Sequence, residues 1–187
     1  MGKVHDAIDD SLAAWLGAQH LFFVATAPAG GDGHVNLSPK GLDSFRILDP
    51  HTVAYLDLTG SGVETIAHVR DNGRVTFLFC AFDGPPKIVR LYGRGEVLPA
   101  GEAAYAALAP QFPALPGARA IIRVRLERIA DSCGYAVPQF AFKADRAQLI
   151  AWAERKDAAA LDEYRAQKNA RSIDGLPGLA DAPRARR

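Results

Sequence analysis

The sequence predicts a mainly β protein with flanking helices, an α+β fold built on six antiparallel strands. Six short segments are either apolar throughout or alternate between apolar and polar residues. Most of them are separated by Gly-, Pro- and Asn-rich turns, and the helical patterns lie at the two ends with one inserted mid-chain. Short strands joined by turns are typical of antiparallel barrels and sandwiches, whereas a parallel sheet needs regular alternation with helices.

The elements follow in chain order. The strands are predicted at 21–27, 34–38, 52–58, 74–82, 87–97 and 119–130. The helices are predicted at 6–18, 63–71, 101–108 and 145–168. Residues 131–142 and the tail from Ser172 are expected to be irregular. We expect one domain over 1–187, with the barrel core at about 21–130 and a C-terminal helix and tail at 145–187.

Apolar spacing and turn residues justify the N-terminal elements. Ile8, Leu12 and Leu16 recur at helical spacing, which predicts the first helix, with Asp6 as its cap. The turn 28–33 makes a hairpin of the first two strands, and Pro39-Lys40-Gly41 is expected to end the second.

Later elements rest on similar signals. Asn72-Gly73 stops the mid-chain helix, because glycine adopts the left-handed conformation that helix ends favour. The last two strands alternate strictly; in the final one Ile122 points inward and Arg123 outward. Asp145 is the predicted cap of one long C-terminal helix.

Composition excludes several classes of function. The chain has 22 basic and 21 acidic residues, so it lacks the basic excess of a dedicated nucleic-acid binder. The basic run Arg184, Arg186 and Arg187 is interpreted as a solvated terminus. Two cysteines without metal spacing indicate a reducing compartment. With no signal-peptide pattern and no long apolar run, we expect a cytoplasmic protein that contacts no membrane.

Three segments are candidates for binding chemistry, each with a simpler alternative. Residues 36–40 (NLSPK) could hold an anion or could be an ordinary polar turn. Residues 59–65 (TGSGVET) could bind a phosphate at a helix start, or Ser61 or Thr65 could cap that helix. Arg90 could neutralise a phosphate or belong to a solvent-facing row of charges.

Other reactive side chains carry weaker signals. Cys133 is interpreted as a small apolar residue, because no sequence feature supplies a base for it. The five histidines lie at no metal-ligand spacing, so no metal site is predicted. No catalytic residue can be assigned.

The order of elements over residues 21–98 resembles the FMN-binding split β-barrel of the pyridoxamine 5′-phosphate oxidase-like family. The segments that carry the resemblance are VNLSPK, AYLDL, TGSG, DNGRV, VTFLFCAF and IVRLYGRGEV. The resemblance implies a homodimer with two FMN molecules in clefts between the subunits, and a small-molecule substrate.

The resemblance also implies which residues meet the cofactor. Residues 36–39 would lie along the flavin ring, 56–58 would touch it, 61–65 would meet the phosphate, and Arg90 would approach from the facing protomer. The implied cofactor-binding set is Asn36, Leu37, Ser38, Pro39, Lys40, Asp57, Ser61, Thr65 and Arg90. Trp152 and Tyr164 are expected to pack against the barrel rather than to cover the cleft.

Two departures from the family pattern shape the expected function. The oxidase carries an Arg-Lys pair where this chain has Glu64 and Thr65, and it has a C-terminal Arg-x-His that is missing here. Because a carboxylate beside a phosphate is unfavourable, Glu64 must turn away. We therefore expect an FMN-dependent oxidoreductase other than pyridoxamine 5′-phosphate oxidase.

The same barrel leaves other functions open. One alternative is a deazaflavin-dependent reductase. A second is a flavin- or haem-binding protein without catalysis, in which His34 or His68 would be the haem ligand. A third is a structural barrel with an empty cleft.

Overall fold

The structure, a computed structural model, describes residues 2–179. The basic tail residues Arg184, Arg186 and Arg187 lie outside the described residues. The described strands are β1 Val4–His5, β2 Phe22–Thr26, β3 Asn36–Lys40, β4 Phe45–Asp49, β5 Thr52–Leu58, β6 Arg74–Cys80, β7 Ile88–Pro99 and β8 Ala118–Ser132. The helices are α1 Asp10–Gly17, α2 Glu64–Asn72, α3 Ala103–Leu108, α4 Gln148–Glu154 and α5 Ala158–Lys168, with a 3₁₀ turn at Ala109–Gln111.

The sheet is antiparallel and curls into an open barrel. Seven strands follow the order β3-β2-β6-β7-β8-β5-β4, and β1 pairs with β8. A flat sheet of this order would place β3 and β4 about 29 Å apart. The chain between Lys40 and Phe45 can span at most about 18 Å, so the two edge strands must approach each other. The predicted mainly β split barrel with flanking helices is confirmed.

Two apolar clusters lie on opposite sides of the sheet. The larger fills the barrel and includes Tyr55, Phe77 and Ile122, all inaccessible to solvent. The smaller lies under α3 and the 3₁₀ turn and includes Leu56 and Ile121. Neighbouring residues of β5 and β8 therefore face different clusters, which explains why both strands are apolar on two faces.

The expected N-terminal boundaries need two corrections. Asp9, and not Asp6, caps α1: its carboxylate accepts a hydrogen bond from the backbone N–H of Leu12 at 2.8 Å. Strand β3 continues through Pro39 and Lys40, where a break was expected. It is an edge strand paired only with β2, and an edge strand tolerates the missing N–H of proline.

The structure contains strands that the sequence pattern did not predict. Strand β4 has four half-buried residues in succession and shows no alternation. Strand β1 is only two residues long. The described chain therefore has eight strands where six were predicted.

The predicted C-terminal helix is two helices. Chain direction changes after Arg155, and Asp157 caps α5 by accepting a hydrogen bond from the N–H of Ala160 at 2.8 Å. Asp145 caps nothing; the residue before α4 is Ala147, which makes no side-chain cap. No helix in the described part of the chain combines the length and the apolar run that a membrane crossing requires.

Candidate functional site

A cleft of about 280 Å³ opens where edge strand β3 passes the start of α2. Its walls are β3, the connection after it, the end of β5 with the turn 59–62, and the first turn of α2. Arg119 of β8 and Leu149 of α4 complete the lining. The connection is tightly bent, since Leu42 and Asp43 both have positive φ, at 60° and 52°.

Most of the predicted binding residues meet in this cleft. Asn36, Ser38, Pro39, Lys40 and Thr65 all line it. The alternation of β3 points Leu37 outward, and this side chain is 62% exposed. Asn36, Ser38 and Lys40 share the face that meets the cavity, whereas Pro39 borders the cavity although alternation places it on the face of Leu37.

Besides Leu37, three of the predicted residues do not line the cleft. Asp57 is buried behind the cleft, and Ser61 is exposed and does not line it. Arg90 donates a hydrogen bond to the Oγ of Ser132 at 3.2 Å, in another part of the barrel. Within one chain, therefore, Arg90 and Lys40 do not share a cavity.

The hydroxyl of Ser38 has no hydrogen-bond partner in the described structure, although it is shielded from solvent. Buried polar groups are normally paired, because an unpaired one costs about 1–3 kcal/mol. Ser38 lines the cleft. An orphaned hydroxyl at this position is a group that a polar ligand can satisfy.

A buried ion cluster lies directly behind the cleft. The Asp57 carboxylate is 2.6 Å from Nε of Arg119 and 3.6 Å from Nζ of Lys40. Burial alone would raise the pKa of Asp57, but the Arg119 and Lys40 charges outweigh it and hold that pKa below its ordinary value. Asp57 is thus ionised and fixes the direction in which Lys40 reaches into the cleft.

The C-terminal part of the chain supports the turn at residues 59–62. Asn169 is fully buried; its Oδ1 accepts from Arg119 at 2.9 Å and its Nδ2 donates to the Gly60 carbonyl at 2.9 Å. Arg165 of α5 donates to the Thr59 hydroxyl at 3.0 Å. Sequence reasoning did not identify Arg119, Arg165 or Asn169 as part of the site. The one available signal was a charged residue, Arg119, at the start of an apolar strand.

Glu64 borders the cleft, and one of its two carboxylate oxygens already has a hydrogen-bond partner. One oxygen of its carboxylate accepts a hydrogen bond from the backbone N–H of Ile173 at 3.3 Å. The lining charges of one chain are therefore Lys40 and Arg119 against Glu64, with Asp57 behind them. These four charges sum to zero.

Trp152 and Tyr164 pack against each other, with ring centroids 4.9 Å apart. Neither is part of the cleft lining; α4 contributes Leu149 instead.

A second cavity of about 1190 Å³ lies at the β6–β7 hairpin and the end of α1. Several aromatic rings line it, among them Trp15, Phe82 and Phe142. Cys80 and Cys133 also line it. Cys133 is exposed and Cys80 is buried, and burial raises the pKa of the Cys80 thiol, so that thiol is unsuited to act as a nucleophile.

Each of the two histidines considered as haem ligands has its Nδ1 within hydrogen-bond distance of another side chain. His34 Nδ1 lies 2.6 Å from an oxygen of Asp174. His68 is inaccessible to solvent and its Nδ1 lies 3.0 Å from the Thr26 hydroxyl. Among residues 2–179, no three His, Cys, Asp or Glu residues are placed to hold a metal ion.

The buried His68 predicts a pH dependence of stability. Burial lowers the pKa of His68 below 6.5, although the nearby carboxylates of Asp174, Glu64 and Asp71 oppose this. The unfolded chain therefore takes up its proton at a higher pH than the folded chain. The stabilising contribution is present above about pH 6.5 and is lost as the pH falls toward the folded pKa.

Urea unfolding at about pH 7.5 and about pH 5.5 measures this contribution. We expect the difference in unfolding free energy between the two pH values to be smaller in His68→Asn than in the wild type. His51→Asn, at an exposed position, is the matched control. Equal differences in wild type and His68→Asn would contradict the assignment.

The curled sheet and its cleft between β3 and α2 define a split-barrel protein. The chain belongs to the pyridoxamine 5′-phosphate oxidase family, whose model matches residues 8–133. It is 42% identical over 197 residues to the pyridoxamine 5′-phosphate oxidase family protein ustO of Aspergillus flavus, covering 96% of this chain and 79% of that protein.

Solved structures share the fold. A tagged variant of HupZ from Group A Streptococcus is 26% identical, with a TM-score of 0.52, over 67% of this chain and 99% of that chain. A candidate pyridoxamine 5′-phosphate oxidase of Lactobacillus delbrueckii is 22% identical, with a TM-score of 0.51, over 68% and 98%.

Proposed function

We propose that the protein is an FMN-binding oxidoreductase, a homodimer in the cytoplasm, whose flavin lies in the cleft beside β3. The observation that carries the proposal is the cleft face of β3. It presents an unpartnered hydroxyl, Ser38, between an amide, Asn36, and a cation, Lys40. Family membership supports the same placement.

The polar groups of the cleft suit a flavin ring and its ribityl chain. Both carry hydrogen-bond donors and acceptors, which Ser38 and Asn36 can pair. Lys40 would face the electron-rich edge of the ring or the phosphate. The bound flavin would supply the redox chemistry, while the protein binds and orients it.

The phosphate is matched less well by one chain alone. The four charges at the cleft cancel, and Glu64 stands where the family has a basic pair. A phosphate dianion therefore needs further positive charge. The cleft volume, at about 280 Å³, is also at the lower limit of ordinary ligand sites, which run from about 300 Å³. Both points favour a site completed by a second subunit, with Arg90 as the proposed contribution.

Binding of FMN to purified protein tests the proposal. We expect a flavin spectrum that survives desalting at about one molecule per chain. Lys40→Ala is expected to raise the Kd of FMN roughly 10- to 100-fold, the effect of losing one charge-assisted hydrogen bond. Lys3→Ala, at an exposed lysine that does not line the cleft, is the matched control.

The same titration distinguishes the alternatives. Weaker binding in Arg90→Ala supports a site shared between subunits, and sedimentation of the FMN-bound protein gives its oligomeric state. Binding of a deazaflavin in place of FMN would redirect the proposal to the deazaflavin-dependent reductases. Failure to bind either cofactor, or an unchanged Kd in Lys40→Ala, would reject the cleft as the flavin site.

A further inference from the structure

A chain of buried hydrogen bonds runs from His68 to the cleft. His68 Nδ1 lies 3.0 Å from the Thr26 hydroxyl, which lies 3.1 Å from Nδ2 of Asn36. The same Nδ2 lies 2.9 Å from the hydroxyl of Thr65. His68, Thr26 and Thr65 are buried, whereas Asn36 lines the cleft.

The arrangement fixes the amide of Asn36. Its Nδ2 carries two hydrogens, and one is donated to Thr26 and the other to Thr65. The amide oxygen is then left for the cleft as a hydrogen-bond acceptor. A ligand must present a donor at this point to pair with it.

The Thr26 hydroxyl links this orientation to His68. Since the Thr26 oxygen accepts from Asn36, its own hydrogen is available to Nδ1 of His68. When that hydrogen is donated to Nδ1, Nδ1 is unprotonated and the ring hydrogen of the neutral imidazole is on Nε2. A hydrogen on Nδ1 would instead be donated to Thr26, whose hydroxyl hydrogen would then lose its acceptor at His68. An Asn36 amide turned with its oxygen inward would accept that hydrogen, and it would present its nitrogen to the cleft.

This tautomer leaves one buried hydrogen-bond donor of His68 unpaired. Nε2 of His68 is buried and has no partner in the described structure. An unpaired buried N–H is unfavourable, so this tautomer must be held by the hydrogen bond at Nδ1. The groups that face His68 are the hydroxyl and the backbone of Thr26 and the carboxylates of Asp174, Glu64 and Asp71.

We propose that His68 is a positioning residue that acts through Thr26 to hold the Asn36 oxygen toward the cleft, and so selects a ligand that donates a hydrogen bond there. The inference rests on the proposed function in one respect: the ligand is taken to be the flavin. A flavin ring offers an N–H donor and its ribityl chain offers hydroxyl donors.

A double-mutant cycle on FMN binding tests whether His68 acts through Thr26. Thr26→Val keeps the shape and removes the hydroxyl, and His68→Phe keeps the ring and removes its nitrogens. We expect each to raise the Kd of FMN about 5-fold and the double variant to raise it by the same factor. His68→Asn, whose amide oxygen can accept from Thr26, is expected to bind within about 2-fold of the wild type.

Thr76→Val is the matched control, because Thr76 carries a half-buried hydroxyl on β6 that neither lines the cleft nor belongs to this chain of hydrogen bonds. It is expected to leave the Kd unchanged. Losses that multiply in the double variant, to about 25-fold, or single variants that bind like the wild type, would overturn the proposal. If His68→Phe does not fold, His68→Leu, which also lacks a hydrogen-bonding group, takes its place in the same cycle.

The tautomer is measured separately in the cofactor-free protein. Nitrogen NMR of the His68 ring is expected to show a neutral imidazole with its hydrogen on Nε2, and a changed Nδ1 signal in Thr26→Val. A hydrogen on Nδ1 would overturn the proposal whether or not FMN binds. If the wild type does not bind FMN but shows the Nε2 tautomer, the proposed function fails and the positioning role stands for another ligand.

Discussion

Replacing Asp57 by alanine is expected to destabilise the protein by about 3–5 kcal/mol, because it leaves the buried charge of Arg119 without its partner. The Arg119 side chain is 6% exposed, and its Nε lies 2.6 Å from the Asp57 carboxylate. Its remaining contacts, to Asn169 and the Gly60 carbonyl, are to uncharged groups. Arg119→Ala is expected to cost a similar amount, since it leaves Asp57 buried with only Lys40 nearby.

The free energy of unfolding in urea measures both losses. The matched control is the surface pair of Arg123 and Glu96, whose atoms also approach to 2.6 Å but whose side chains are 40% and 57% exposed. Glu96→Ala is expected to cost about 1 kcal/mol or less. Replacing the buried pair together, as Asp57→Leu with Arg119→Met, should recover much of the single-variant loss, because no fully buried charge is left unpaired. The remaining cation, Lys40, has a side chain that is 24% exposed to solvent.

The loss of Asp57 should also weaken cofactor binding in the cleft. Without Asp57, Lys40 loses the carboxylate that directs it, so FMN affinity should fall in Asp57→Ala even where the protein is still folded. A loss of stability no larger than that of Glu96→Ala would contradict the buried ion cluster. An intact FMN affinity would show that Lys40 needs no such support.

Local patterns account for what could be predicted of the fold. Alternation and turn residues place β2, β5, β6, β7 and β8 within a few residues of their observed bounds. Strand β4 was missed because its half-buried residues show no alternation, and its pairing with β5 is a tertiary event. The break before α5 was missed because Asp157 in a polar helical run resembles any exposed residue until its cap is seen.

Some residues of the cleft could likewise be predicted from local sequence, and others could not. The side chains of β3 and Thr65 lie in or next to recognisable segments, so the resemblance could locate them. Arg119 could not be found, because by alternation it shares the outward face with Arg123. The start of that face is covered by α3 and by Asn169, and the ion pair joins residues 62 positions apart. The link from His68 to Asn36 likewise spans three separate elements.

The C-terminal segment, residues 169–179, closes this part of the molecule, and Gly178 is its tightest point. The backbone N–H of Gly178 donates to the Ala170 carbonyl at 2.7 Å, and its carbonyl accepts from Arg70. A Cβ at this position would overlap the carbonyl oxygen of Asn169 and approach Val63 to 2.9 Å. No side chain fits without movement of the backbone.

Gly178→Ala is therefore expected to detach this segment, at a cost of about 1–3 kcal/mol or more in stability. Leu179 packs against the barrel core, and Asn169 supports Arg119, so both contacts should weaken together. Hydrogen exchange should increase at the amides of Asn169, Gly178 and Leu179, which are bonded within the segment or to α5. FMN affinity should fall as well, because the turn at Gly60 loses the support of Asn169.

Gly30→Ala is the matched control, since a Cβ there meets no atom within 4 Å, and its effect is expected to lie within about 0.5 kcal/mol of zero. Faster exchange in Gly178→Ala with unchanged FMN binding would separate the segment from the cleft and leave it a purely structural role. Unchanged exchange would mean that the backbone at Gly178 can shift enough to accept a methyl group. In that case Asn169 would be held chiefly by Arg119 and Gly60, and the C-terminal segment would depend on the ion cluster rather than support it.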